Sequence, residues 1–156
     1  MIINQFLKEV RRYCSLIEDA HKISLEEFLV QLSIILPLIY SYGKELPILK
    51  VKNEGINDRK IYDYSKEIAD KLGNKNIYNE VFDPLTDKKP IKTTLSDDLA
   101  DIYRGLKGPL TEYENDNNED TIWEWKFEIQ GHTGDHLVDA LRVIHRLTNP
   151  YYCDSL

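Results

Sequence analysis

Residues Trp123 to Leu147 read WEWKFEIQGHTGDHLVDALRVIHRL. Apolar side chains recur here at helical spacing, so the stretch predicts helix and sets the fold class. At about 100° per residue they fall into two stripes on nearly opposite sides. Trp123, Phe127, Gly134, Leu137, Leu141 and Ile144 form one; Trp125, Ile129, His132, His136, Ala140, Val143 and Leu147 form the other. A charged wedge of Glu124, Glu128, Asp135, Asp139, Arg142 and Arg146 separates them. A helix apolar on two sides needs neighbours on both. One long helix over about Thr121–Leu147 is therefore expected at the centre of the molecule, closed by Asn149 and Pro150. His132 and His136 then point into protein, where an imidazole must be hydrogen-bonded or its desolvation is costly.

Working outward, Leu95, Leu99, Ile102, Tyr103 and Leu106 predict a helix over Leu95–Leu106, capped by Thr94 or Ser96 and ended by Gly108 and Pro109. TEYENDNNED, Thr111–Asp120, reads as an acidic loop. Near the N-terminus, Phe6, Leu7, Val10, Tyr13, Cys14 and Ile17 predict a helix over about Ile3–Ala20. Ser24 and Glu27 form a capping box for a second helix, which Gly43 and Pro47 stop. Pro37 is expected to bend that helix near Gln31 to Ser33 rather than divide it. A shorter helix is expected over Arg59–Leu72, with Gly73 as its C-cap. Lys50–Asn57 is polar and ambiguous, and Asn74–Thr94 reads as mostly loop, Ile77, Tyr78, Val81 and Phe82 pinning a helical turn. With no alternating run long enough for a strand, residues 1–156 predict one all-α domain, an antiparallel bundle of about five main helices.

A chain of 156 residues is the size of one domain and buries roughly 70% of its unfolded surface, enough for a core without disulfides or metals. Net charge is −7, which argues against nucleic acid and anionic membrane as partners. The longest apolar run, LSIILPLIY from Leu32 to Tyr40, is shorter than the about 20 residues a membrane span needs. The N-terminus lacks the order of a signal peptide. A cytoplasmic setting is expected, with Cys14 a reduced core residue and Cys153 a tail residue.

Candidate partners for the histidines come from hairpin geometry. With Leu110 and Thr121 as the hairpin ends, equal rise on both helices brings Asp98 and Asp101 level with about Ile129 to Thr133. Asp98 and Asp101 are thus the cross-helix candidates, while Glu128, Asp135 and Asp139 are within reach along the same helix.

LSDDLADIYRGLKGPL (Leu95–Leu110) and the Trp123–Leu147 stretch resemble the two signature blocks of an uncharacterised bacterial family, the domain-of-unknown-function family 5063. Tyr13-Cys14 and the Phe28-Leu29 pair fit as well. The resemblance implies a helical fold and no particular activity. The chain departs from the family pattern at Gly105, where the family has an aspartate, and at Thr133, where it has a tryptophan.

Two functions compete. The favoured one is a non-catalytic protein-binding or regulatory module whose polar network of His132, His136, Asp98, Asp101, Glu128 and Asp139 is structural. It needs no cofactor, and a homo-oligomer is compatible with it. The alternative is a metal-dependent hydrolase. Histidines at i, i+4 with one aspartate, His132, His136 and Asp98, make a two-histidine, one-carboxylate set for a divalent metal that activates water. The set lacks the glutamate of HExxH. Of the two tryptophans, which lie on opposite faces, one suits the core and the other an interface.

Overall fold

The computed structural model describes residues 1–50, 59–116 and 119–151. Residues 51–58, in the ambiguous polar stretch, and Cys153 lie outside them. Six α-helices and one two-stranded sheet make up the described chain: α1 Ile2–Glu18, α2 Leu25–Glu45, α3 Ser65–Leu72, β1 Ile77–Glu80, β2 Ile91–Thr94, α4 Leu95–Asp116, α5 Asp120–Gln130 and α6 His132–Thr148. The fold is mostly α. α1 packs on α2 and α4, and the C-terminal pair α5 and α6 lies between α2 and α4.

The first two helices follow their periodicity. Phe6, Leu7, Val10, Tyr13, Cys14 and Ile17 are all buried. The Ser24 hydroxyl accepts the Glu27 backbone N–H at 3.1 Å, which starts α2. α2 then runs unbroken through Pro37. By length and composition alone it is apolar enough to cross a membrane; in this fold Leu32, Ile35, Leu36 and Ile39 of α2 are core. Its end lies tight on α5, where a Cβ on Gly43 would meet Ile129 Cγ1 at 2.8 Å.

Four expectations are corrected. α3 begins at Ser65, not Arg59, because the Asp63 carboxylate accepts the Ser65 N–H at 2.9 Å and starts the helix there. Gly73, at φ 57°, ends it as expected. The Asn74–Thr94 stretch forms a hairpin rather than a loop with a helical turn. β1 and β2 pair antiparallel from Ile77↔Thr94 to Glu80↔Ile91.

α4 does not stop at Gly108 and Pro109 but continues to Asp116, so Thr111–Asp116 is helix rather than loop. Proline forfeits one backbone bond. Against that loss, Leu106 and Leu110 are buried on either side, and Arg59 lies over Gly108, its Nη1 3.2 Å from where a Cβ would stand. Arg59 bonds Glu112 of the continued helix at 3.0 Å and Glu124 of α5 at 2.6 Å, so it ties the far end of α4 to its neighbour.

The long C-terminal helix is two helices. Gly131 separates them, and its N–H closes α5 on the carbonyls of Phe127 and Glu128. The break changes the phase of the apolar face. Ile122, Trp125 and Ile129 face inward on α5, whereas Thr133, Gly134, Leu137, Ala140 and Ile144 do so on α6. The two continuous stripes therefore do not exist, and Phe127 and Val138 are half exposed. Trp125 is wholly buried, donating to the Leu106 carbonyl at 3.2 Å, while Trp123 stacks on Phe127 near the surface.

Candidate functional site

The site is assembled where β1 meets the start of α4. The Asn76 carbonyl accepts the Leu95 N–H at 2.8 Å, and its side-chain oxygen accepts the Ser96 N–H at 2.8 Å. Thr94 caps the helix through the Asp97 N–H. These bonds hold the first turn of α4 against β1 and set Asp98 beneath Tyr78.

Asp98 is buried, at 2% exposure. Each of its oxygens is bonded. The Tyr78 hydroxyl donates to Oδ2 at 2.5 Å, and His136 Nδ1 lies 2.7 Å from Oδ1. The carboxylate holds the His136 imidazole above the usual histidine range, against the opposing effect of burial. Burial, and then Asp98, push the Tyr78 phenol far up. Tyr78 is thus a neutral donor.

With Nδ1 turned to Asp98, His136 Nε2 faces outward, 3.2 Å from Asp101 Oδ2. His132 Nε2 lies 3.9 Å from the same oxygen, and the two rings meet edge-on at 4.5 Å. The other Asp101 oxygen pairs with Arg104. Asp101, His132 and His136 each offer one ligand atom, all within 4.8 Å of one another.

The structure therefore brings His136, Asp98 and Asp101 together. It does not bury His132, whose side chain is 69% exposed. The physical reason is the break at Gly131, which leaves His132 as the first residue of α6, outside the packed face. Glu128 does not reach the histidines; it accepts from the Thr133 hydroxyl at 2.7 Å. Asp139 takes Glu80 as its bonding partner, and burial together with Glu80 pushes its carboxyl up to about 6. Tyr78 and Glu80 were missed by sequence reasoning. They lie in a stretch that reads as loop, and no spacing marks them.

Beyond Asp139 opens a cleft of about 840 Å³ between β1 and α6. Every residue from Ile77 to Phe82 lines one wall, and Val138, Asp139 and Arg142 are on the other. A strand's side chains alternate between its faces. Consecutive lining residues mean that the cleft meets β1 along its edge.

A family model for a domain of unknown function, DUF5063, matches residues 1–149. The chain belongs to this family. Gly105 and Thr133 lie against each other: a Cβ on Gly105 would meet the Thr133 hydroxyl. The fold is also similar to the crystal structure of protein BF1032 from Bacteroides fragilis, with a TM-score of 0.82 and 21% identity over 96% of this chain and 94% of that one. No curated protein matches the sequence.

Proposed function

We propose that the domain is a protein-binding module that takes an extended segment of a partner along the edge of β1 that no other strand covers among the described residues, in the cleft against α6. One observation carries this reading. The Leu95 N–H bonds the Asn76 carbonyl, so the pair 76·95, which continues the hairpin register, is of the hydrogen-bonded kind. Antiparallel pairs alternate, so Tyr78·Thr93 and Glu80·Ile91 are hydrogen-bonded as well. Ile77 and Asn79 therefore turn their N–H and C=O groups away from β2, into the cleft. An unpaired strand edge beside an apolar wall is what β-augmentation uses: main-chain bonds give affinity, and side-chain pockets give selectivity.

The walls fit such an occupant. Ile77, Phe82 and Val138 are exposed apolar side chains. Glu80 and Asp139 stand at the inner wall and Arg142 on the outer part of α6. β1 is four residues long, so it matches a partner segment of about four to six residues.

Selection of a displayed random heptapeptide library on the purified protein tests the reading. The enriched peptides are expected to alternate apolar residues and to lose binding to Asn79→Pro and to Val138→Asp. Asn79→Pro removes only an N–H that points away from β2, so the hairpin survives. Selected peptides that bind both variants as well as they bind the wild type would refute the proposal, as would a failure to select any.

A further inference from the structure

We infer that Asp101, His132 and His136 form a site for one divalent transition-metal ion, Zn²⁺ being the model case, at the junction of α4 and α6. The inference rests on side chains outside the cleft and does not depend on the peptide reading.

The donor set is two imidazole nitrogens and one carboxylate oxygen, a combination that suits Zn²⁺ and its neighbours in the first transition row. The atoms are close to where an ion needs them. Bonds of about 2.0–2.1 Å in a tetrahedral arrangement separate neighbouring ligand atoms by about 3.3 Å. Asp101 Oδ2 stands 3.2 Å from His136 Nε2 and 3.9 Å from His132 Nε2. His132 is exposed and closes the remaining gap by a side-chain rotation.

The decisive feature lies behind the ligands. A metal-binding histidine commonly hands its other ring nitrogen to a carboxylate, which fixes the tautomer and aims the lone pair. Asp98 does this for His136. It is buried, its second oxygen is occupied by Tyr78, and its bond to Nδ1 leaves Nε2 directed at Asp101. An ion pair alone would not require that support, because Asp101 is already paired. Asp101 divides its work: Oδ1 takes Arg104, and Oδ2 alone faces the imidazoles. Arg104 sets the charge balance. With one carboxylate in the ligand shell and a guanidinium beside it, the site suits an ion that bonds imidazole strongly rather than Ca²⁺ or Mg²⁺, which want several oxygens. Three protein ligands, His132 exposed and His136 and Asp101 partly buried, leave the remaining coordination positions to water.

The test uses the full chain without a histidine tag, stripped with chelator and titrated with Co²⁺ by visible absorption and with Zn²⁺ by calorimetry. One ion per chain is expected. His132→Ala lies at the surface, so its fold is not at risk, and it is expected to weaken binding at least about 10-fold; His136→Ala is expected to abolish it. Asp98→Asn, which touches no ion, is expected to weaken binding about 10–100-fold. His21→Ala and His145→Ala, both exposed, are expected to bind like the wild type. No saturable binding in the wild type overturns the inference. So does binding that His132→Ala leaves intact, which would place the ion elsewhere.

Discussion

Replacing Gly134 by alanine separates two structures of the C-terminal region by the sign of its effect. In a single continuous helix, Gly→Ala raises helix propensity and stabilises by about 1 kcal/mol. Here α5 ends at Gln130 and α6 begins at His132, and the turn between them folds back onto Gly134. A Cβ there would stand 2.1 Å from the Ile129 carbonyl oxygen and 3.0 Å from its carbon. The obstacle is backbone, so no side-chain rotation relieves it. Overpacking of this kind costs about 1–3 kcal/mol, and a rigid obstacle belongs at the upper end. Subtracting the propensity gain leaves a net destabilisation of about 2 kcal/mol. For a chain of this size that lowers Tm by about 4–8 °C. Thermal melts of wild type and Gly134→Ala followed by circular dichroism, checked by urea denaturation, measure it. An unchanged or raised Tm would refute the break at Gly131 and, with it, the account of why His132 stands outside the core.

Two further outcomes follow from ionisation. Asp139, pushed up to about 6, and His136, raised by Asp98, both hold a proton more tightly folded than unfolded. Their contribution to stability is complete below the unfolded values and lost as pH rises through the folded ones. Glu80, Asp98 and Asp101 supply the negative surroundings. The Tm of chelator-treated protein is therefore expected to lose the Asp139 contribution as pH rises to about 6 and the His136 contribution as pH rises further, above the usual histidine range, with a shallower first fall in Asp139→Asn; a Tm that climbs steadily from about pH 5 upward would contradict the assignment. Burial pushes the Cys14 thiol up to about 12, so in a Cys153→Ser background iodoacetamide is expected to label Cys14 only under denaturing conditions. Rapid native labelling, read by intact mass, would show that Cys14 is not core.

Much of the fold was legible because helix faces are written in spacing. Phe6 to Ile17 and Phe28 to Ile39 bury the residues that their period selects, and Ser24 starts α2 through a bond its type dictates. Rise per residue, counted from hairpin ends at Leu110 and Thr121, brought Asp98 level with about Thr133, within a turn of its observed partner His136, although α4 runs on to Asp116. What escaped was decided by contacts distant in sequence. Glycine weakens a helix by only about 1 kcal/mol, so nothing in the period marks Gly131 as a break and Gly105 as a mere packing surface. Pro109 looks like a stop until Arg59, fifty residues upstream in another segment, is seen holding Glu112 and Glu124. Strands of four residues are too short to show alternation, so β1 passed for loop, and Tyr78, the second partner of Asp98, was lost with it.

Asn76 gives the assembly a mechanical character. One residue, through its carbonyl and its side-chain oxygen, receives the first two backbone N–H groups of α4. Helix ends normally fray independently of whatever lies nearby. This one is clamped: the first two N–H groups of its first turn are held by the residue that leads directly into β1. Asp98 sits in that first turn and grips the strand again through Tyr78. Hairpin and helix start are therefore tied at two points, and His136 is bonded at the second. The outer strand and the imidazole are thus two hydrogen bonds apart, Tyr78 to Asp98 and Asp98 to His136.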